Sequence, residues 1–267
     1  MKLWRLLTAF VISVPLLVIV LLTGVSAEDT YGIGGHHYIL EEGVPDPDLL
    51  GEDEEWLDEQ IEFEIFDPFE PLNRVFFTFN DRLYFWVLKP VKTGYSAVLP
   101  EDVRLSIGNF FYNLAAPINF VNTLLQGRFR DSGVVLKRFL INTTVGVYGF
   151  GDVAAEHFDL QPARGDFGET LGTYNIGEGF YICWPVFGPS NVRDTVGIVG
   201  DMYLHPNKWV DLDSGVEIAG RATEFINRLS ITPPVYEEIV EISLDPYVAT
   251  REAYADYRRK LIESNKK

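Results

Sequence analysis

The chain has 267 residues, which is enough for one large domain or two small ones. Its 39 acidic and 22 basic residues argue against a nucleic-acid partner, because phosphate binding needs a positively charged surface. The single cysteine, Cys183, excludes an intramolecular disulfide.

Residues 1–27 have the pattern of an export signal. Lys2 and Arg5 supply the positive start, residues 6–22 supply an apolar body, and Val25-Ser26-Ala27 forms a small-residue cleavage site. The apolar body is longer than in most signal peptides. Two alternatives therefore stay open, cleavage after Ala27 or retention as an inner-membrane anchor, and both predict that the rest of the chain is exported.

An acidic segment follows the signal. Between Glu28 and Glu70 the sequence has 16 Asp or Glu and no Lys or Arg, whereas the chain beyond holds 20 basic and 23 acidic residues. Like charges repel, so we predict a flexible, disordered acidic arm over residues 28–66. Apolar residues between Trp56 and Phe66 leave the alternative that the arm docks on a partner.

A helical domain is predicted over residues 67–262, followed by a short tail at 263–267. Its first helix is expected from Asp67 to Val91, with Pro71 in the first turn and Pro90 as the stop. Aromatic and aliphatic residues lie nearly all round this helix, which must therefore be buried in protein or in lipid. Its uncharged runs are shorter than the roughly 20 residues that span a bilayer. A helix partly embedded in lipid and a core helix of a soluble domain both remain possible.

The remaining domain is expected to be mainly α. One helix begins after Pro100, and another resumes after Pro117 and ends at Gly127. Further helices are predicted at 131–144, 191–203, 216–229 and 245–262. Residues 143–147 and 180–187 are strand-like, but each is isolated, so neither indicates a sheet.

Motifs for catalysis are weak. The run Gly149-Phe-Gly151-Asp-Val-Ala154 matches the dinucleotide fingerprint, but the surrounding strand–helix–strand unit is missing. There is no G-x-S-x-G nucleophile motif, and the four histidines show no zinc spacing. We therefore predict no catalytic residue, no metal site and no cofactor.

The stretch from Gly172 to Pro189 surrounds aromatic residues with glycines. Gly177 and Gly179 provide conformational freedom, and the aromatic residues would be costly to expose to water. A mobile apolar lip and an ordinary buried turn both fit this composition. The candidate rim residues are Phe76 of the first helix together with Tyr174, Phe180, Tyr181 and Trp184.

Several stretches, in order, resemble the MlaA (VacJ) family of outer-membrane lipid-trafficking proteins. They are DPFEPLNRVFFTFND from Asp67, IGNFFYNLAAPINFVNTLLQG from Ile107, RFLINTTVGVYGFGDVA from Arg138, FGETLGTYNIGEGFYICWPVFGPSNVRD from Phe167 and DPYVATREAY from Asp245. The resemblance implies a compact ring-like helical domain seated in a membrane around a lipid pore. It also implies that Phe79 and Asn80 hold the pore in its resting state, and that Gly177 and Gly179 form a hinge.

The resemblance further implies a non-enzymatic function at the periplasmic face of the outer membrane. Misplaced phospholipid would leave the outer leaflet through an amphipathic channel to a soluble periplasmic carrier, and lipid asymmetry would be maintained. A trimeric porin is the further partner that it suggests. The family's signal usually ends in a lipid-modified cysteine, and this sequence has none there. The alternative is a structural envelope protein that docks partners through its acidic arm.

Overall fold

The computed structural model describes residues 65–206 and 213–266. The predicted signal and almost all of the acidic arm lie outside these ranges, so both stay predictions. Within the described ranges the fold is mainly α, as the sequence predicts. The helices are α1 (Glu70–Leu83), α2 (Lys89–Val98), α3 (Glu101–Leu114), α4 (Ala116–Leu125), α5 (Phe129–Thr144), α6 (Val153–Phe158), α7 (Phe167–Thr173), α8 (Val192–Leu204), α9 (Ser214–Ile231), α10 (Val235–Ile242) and α11 (Pro246–Asn265).

The first helix does not stop at Pro90, and that prediction is wrong. A π-helical turn, Tyr84–Leu88, joins α1 directly to α2, and Pro90 lies in the first turn of α2. The Lys89 N–H donates to the carbonyl of Tyr84, five residues back. This wider turn changes the hydrogen-bond register just before Pro90. Because Pro90 then lies in the first turn of α2, the backbone N–H that proline lacks is not required for a hydrogen bond inside the helix.

The strand predictions need two corrections. Strand β1 (Tyr181–Trp184) is not isolated, because it pairs antiparallel with β2 (Gly188–Asn191) in a hairpin. The sequence of β2 is Gly-Pro-Ser-Asn, which has little strand propensity and so gave no prediction. Residues 143–147 are not a strand: Thr143 and Thr144 end α5, and a turn follows in which Val147 has φ of 53°.

Most predicted helix limits are confirmed within a few residues. Helix α3 begins directly after Pro100, and Gly127 ends the next helical run with φ of 76°. Helix α11 continues to Asn265, beyond its predicted end at residue 262. Three helices, α6, α7 and α10, were not predicted, because each has at most eight residues and lacks a full amphipathic repeat.

The packing pairs of the elements close into a ring. Going round it, α1 packs on the hairpin, the hairpin on α8, α8 on α7, α7 on α4, α4 on α3, α3 on α9 and α9 on α2, which continues α1. Helix α5 packs on α4, α3 and α6, while α11 packs on α7, α10 and β2. In the ranges given above, no helix is both long enough and apolar enough to cross a membrane.

Candidate functional site

Two asparagines on one face of α1 bind the hairpin backbone. Asn80 donates from Nδ2 to the carbonyl of Trp184 over 2.8 Å, and its Oδ1 accepts the N–H of Val186 over 2.6 Å. Two turns earlier, Asn73 accepts the N–H of Cys183 over 2.9 Å and donates to the carbonyl of Tyr181 over 3.2 Å. These four bonds, which we call the asparagine clasp, fix β1 and the following turn to the first helix.

The clasp explains the position of Asn80, which the family resemblance singled out. Val186 has φ of 74°, so the hairpin turn that Asn80 holds is in a left-handed conformation unfavourable for a β-branched residue. Phe79, about 100° away around α1, is exposed and lines an open groove with Val75 and Trp86. The two residues therefore act on different sides of the helix.

The predicted hinge loop contains two different kinds of glycine. A Cβ placed on Gly177 would meet nothing within 4 Å. Gly179 has φ of 73°, and a Cβ there would come 2.8 Å from the Cβ of Val192. Gly179 is thus required by backbone conformation and by close packing, whereas Gly177 is open to substitution. The hinge remains a prediction.

The end of α11 contacts the same loop. Lys266 donates to Asn175 Oδ1 over 2.8 Å, and Arg259 lies 3.6 Å from a carboxylate oxygen of Glu178. Both contacts are at the surface, where each ion pair or hydrogen bond contributes little. They hold the loop loosely compared with the asparagine clasp.

The candidate rim residues occupy different environments. Tyr181 is only 2% exposed and belongs to a core cluster with Cys183, against which Phe76 packs. Tyr174 is 64% exposed, and its hydroxyl donates to the carbonyl of Leu125. Phe180 stacks edge-on against Phe69, and the Trp184 indole N–H donates to Thr195. Tyr174 is the most exposed of them, and the role of all five at a channel rim stays a prediction.

Cys183 is a core group in this fold. It is 1% exposed in β1, and burial raises the pKa of its thiol to about 12. The thiol therefore stays protonated and unreactive at neutral pH. The one cysteine of the sequence is not placed for lipid modification.

A buried charge cluster connects α7, α8 and α11. Arg258 of α11 hydrogen-bonds Asp166, the N-cap of α7, over 2.6 Å and Asp194, in the first turn of α8, over 2.9 Å. Tyr254 donates to Asp194 over 2.6 Å. Burial opposes the charge on Asp194, but Arg258 and Arg193 outweigh it and lower the pKa of Asp194 to about 2. Burial and the neighbouring Asp166 instead raise the pKa of Glu169 well above its ordinary value.

Sequence reasoning did not find this cluster. Its members lie in segments whose charged residues look like ordinary solvent-facing positions of amphipathic helices. One available signal was the pair of segments GDFGE and SNVRD, in which a capping Asp or Asn is followed three residues later by an acid. That pattern predicts helix starts, and only the tertiary structure brings both starts to Arg258.

Several helices bury polar side chains and expose apolar ones. Helix α5 buries Ser132, Arg138 and Asn142 but exposes Leu136 and Leu140. In the same way α4 buries Asn119, Asn122 and Thr123 but exposes Leu124 and Leu125, and α8 buries Arg193, Asp194 and Asp201 but exposes Val196, Val199 and Tyr203. Each helix also buries an apolar residue, namely Val135, Ile118 or Ile198. The combination of buried polar groups with exposed apolar stripes, which we call reversed polarity, is nevertheless unusual for helices of a protein surrounded by water.

Two cavities share Arg228 of α9 in their linings. The first is walled mainly by apolar and aromatic residues of the π-helical turn, α9, α10 and α11, including Tyr84, Phe225, Ile239 and Ala253. The second has a more polar lining. Its charged lining residues are Arg138, Asp152, Arg164, Glu224 and Arg228. An apolar compartment thus adjoins a polar one.

The ring of Tyr112 contacts two of these cations in the polar cavity. The guanidinium of Arg138 is 5.3 Å from the ring centroid and that of Arg164 is 5.2 Å from it. Arg138 is neutralised by Asp152, with 2.7 Å between nitrogen and oxygen. Burial raises the pKa of Tyr112, although both guanidinium groups act in the opposite direction, and its hydroxyl donates to the carbonyl of Ala163.

The dinucleotide fingerprint is part of a helix–turn–helix connection. Gly149 and Gly151 lie in the turn after α5, and Asp152 caps α6 while pairing with Arg138. No strand precedes this turn in the structure, so the strand-to-helix context of a dinucleotide site is absent from this part of the chain. Across residues 65–206 and 213–266, no group of three or more His, Cys, Asp or Glu side chains is placed to hold a metal ion.

Comparison with known proteins gives consistent matches. A family model described as MlaA lipoprotein matches residues 65–261. The intermembrane phospholipid transport system lipoprotein MlaA of Escherichia coli K12 is 32% identical over 195 residues, covering 70% of this chain and 75% of that protein. The protein of the same name from Haemophilus influenzae is 31% identical over 201 residues, covering 70% and 76%.

Other matches include an uncharacterized protein of Rickettsia felis, which is 34% identical over 194 residues and covers 71% of this chain and 75% of its own length. A solved structure from work on the structural basis for maintenance of bacterial outer membrane lipid asymmetry superposes with a TM-score of 0.62. It is 30% identical and covers 73% of this chain and 98% of that structure.

Proposed function

The chain belongs to the MlaA lipoprotein family, and from this membership we propose that it transports phospholipid and helps to maintain the lipid asymmetry of a bacterial outer membrane. In the proposed mechanism, misplaced phospholipid leaves the outer leaflet through a channel inside the ring and reaches a soluble periplasmic carrier. The process requires no covalent chemistry in this subunit.

The reversed polarity of α4, α5 and α8 is the observation that carries this proposal. A water-soluble monomer rarely exposes large contiguous apolar surfaces, whereas a lipid-facing surface favours them. Leu136 and Leu140 are four residues apart, and Val196, Val199 and Tyr203 repeat at helical spacing, so each helix presents an apolar stripe. Lipid contact with these stripes supports a domain seated in one leaflet of the membrane.

The two adjoining cavities suggest how a phospholipid crosses the domain. Acyl chains favour apolar walls such as those formed by Phe225 and Ile239, whereas the head group needs polar partners. Moving a charged group through hydrocarbon without partners costs several kcal/mol or more. A polar compartment beside an apolar one lowers that cost, and the shared Arg228 lies where the two compartments meet.

The asparagine clasp and the glycine loop supply candidates for control of this path. We assign Asn80 to holding the hairpin against α1 in the resting state, and Phe79 to the open groove on the same helix. The loop containing Gly177 and Gly179 follows α7 and leads into the clasped hairpin, so a change in one would affect the other. Both roles are part of the proposal.

Attachment to the membrane is assigned to the apolar stripes and to the N-terminal segment. Cys183 is buried in β1 and cannot serve as a lipidated residue in this fold. A soluble lipid carrier is the proposed acceptor of the phospholipid, and a trimeric porin the proposed scaffold.

Blocking the apolar cavity tests the proposal. Ala253 lines this cavity, so we expect Ala253→Trp, purified in detergent, to lose co-purifying phospholipid and to deliver little lipid from vesicles to the soluble carrier. Ala219→Trp, on the exposed side of α9, is the matched control. Wild-type lipid content and delivery in a folded Ala253→Trp variant would refute transport through this cavity. Absence of phospholipid from the wild-type protein would favour a structural envelope protein instead.

A further inference from the structure

The backbone just before α7 is held in place at three successive residues. The carbonyl of Ala163 accepts the hydroxyl of Tyr112 over 2.8 Å, and the carbonyl of Arg164 accepts from the Arg128 guanidinium over 2.9 Å. The N–H of Gly165 donates to Asn119 Oδ1 over 3.3 Å. A Cβ at Gly165 would come within 3.3 Å of the neighbouring helix, so this backbone also packs closely. The Cα of Arg164 is therefore fixed by contacts with α3 and α4 and by the start of α5.

The side chain of Arg164, in contrast to its backbone, is not fixed by hydrogen bonds or ion pairs to the described residues. It is exposed, it lines the polar cavity, and no carboxylate of residues 65–206 or 213–266 lies within ion-pair distance of it. Its guanidinium lies over the face of Tyr112 at 5.2 Å and also acts electrostatically on Tyr257. These contacts leave the N–H groups at the edge of the guanidinium available. Arg138, which also lies over that ring, differs because Asp152 neutralises it.

The charge of the polar cavity is opposite in sign to that of the chain around it. Three arginines line the cavity against two carboxylates, Asp152 and Glu224. Beyond Glu70 the chain holds 23 acidic and 20 basic residues, so a local positive excess does not follow from composition. An anion that enters the cavity can reach Arg164, whose guanidinium has no carboxylate partner in the described structure.

We propose that Arg164 binds the phosphate of a phospholipid head group inside the polar cavity, an inference that rests on the proposed transport function. A guanidinium matches two phosphate oxygens with two parallel N–H···O bonds, which an ammonium cannot reproduce. Tyr112 orients the guanidinium, since its own hydroxyl is held by Ala163. Exposure of the side chain keeps the interaction weak enough for release, as transport requires.

Binding of short-chain lipids to the purified full-length protein in detergent tests this assignment. Dioctanoyl phosphatidylglycerol carries the phosphate, and dioctanoylglycerol has the same acyl chains without it. We expect Arg164→Gln to weaken phosphatidylglycerol binding by about tenfold, the loss expected for a charge-assisted hydrogen-bond pair, and to leave dioctanoylglycerol binding unchanged. Arg164→Lys should recover part of the affinity because it keeps the charge. Arg130→Gln, an exposed arginine of α5 outside the cavity, is the matched control and should bind both lipids normally.

The outcomes separate this proposal from the transport function. Equal loss of both lipids in a folded Arg164→Gln protein, or wild-type binding of phosphatidylglycerol, would overturn the phosphate site while leaving lipid binding by the cavities intact. Failure of the wild-type protein to bind either lipid would overturn both. Inorganic phosphate at millimolar concentration should compete only weakly, and full displacement of the lipid by it would assign Arg164 to free phosphate. If Arg164→Gln does not fold, the Arg164→Lys comparison decides, since wild-type affinity there would exclude a two-pronged phosphate contact.

Discussion

Replacing Asn80 by alanine should loosen the hairpin from α1 without unfolding the domain. The substitution removes the donor that reaches the carbonyl of Trp184 and the acceptor that holds the N–H of Val186. Asn73 keeps its bonds to Tyr181 and Cys183, so the start of β1 stays in place. The expected effect is therefore local and lies at the turn of the hairpin.

The magnitude follows from the two lost bonds. Each contributes about 1 kcal/mol net, so the turn should be destabilised by about 2 kcal/mol relative to the rest of the domain. Such a change raises the population of the locally open turn by about 30-fold. Asn80 is only half-buried, so the freed backbone groups can reach water and the larger cost of a sealed unsatisfied group does not apply.

Amide hydrogen exchange of the protein in detergent measures this directly. The Val186 N–H should exchange about 30-fold faster in Asn80→Ala, whereas the Cys183 N–H, bonded to Asn73, should change little. Thr78→Ala is the control, because the Thr78 hydroxyl bonds only the carbonyl of Arg74 in its own helix. An unchanged Val186 rate would refute the clasp. Equal acceleration at both amides would show that the hairpin opens as a unit and that Asn73 does not anchor it separately.

Deleting Phe79 and Asn80 together should also release the hairpin turn from α1. The shortened helix brings Arg82 to the position of Asn80, and a guanidinium has no acceptor for the Val186 N–H. The two-residue deletion also rotates the following helix by about 160° relative to α1. We expect a folded but leaky channel with dominant loss of envelope integrity. A degraded protein with the phenotype of a simple null would count against a gating role.

Three further predictions concern the loop, the charge cluster and the membrane contact. In urea unfolding, Gly177→Ala should leave the free energy of unfolding unchanged or raise it by about 0.5 kcal/mol, whereas Gly179→Ala should lower it by about 1–2 kcal/mol. A larger loss of stability in Gly177→Ala than in Gly179→Ala would exclude the backbone conformation described for Gly179. The pKa of Glu169 is raised in the folded state, so its contribution to stability is complete below the unfolded pKa near 4.5 and falls as pH rises. Glu169→Gln should remove this loss, so the Tm of the variant should exceed that of wild type by an amount that grows from pH 4 to pH 8. A Tm difference that does not change with pH would contradict this prediction. High salt should fail to extract the protein from membranes where detergent succeeds, because apolar burial at about 25 cal/mol per Å² drives the association, and release by salt alone would disprove it.

Local sequence signals determined much of the helical framework. Proline and acidic residues marked the start of α3, Gly127 marked the end of α4, and apolar periodicity located α5, α8, α9 and α11. These signals depend on the conformational preferences of neighbouring residues, so they can be read without knowing the packing. The motif resemblance also led to the family to which the chain belongs.

Only the tertiary structure decided what the helices face and which distant groups meet. Periodicity locates an apolar stripe on a helix but carries no information on whether the stripe faces a core or lipid, so the reversed polarity of α5 could not be predicted from its sequence. The asparagine clasp joins residues more than 100 positions apart, and Arg258 reaches Asp166 and Asp194 across 92 and 64 positions. Such contacts depend on how the ring closes, which is a property of the packed chain and not of any one segment.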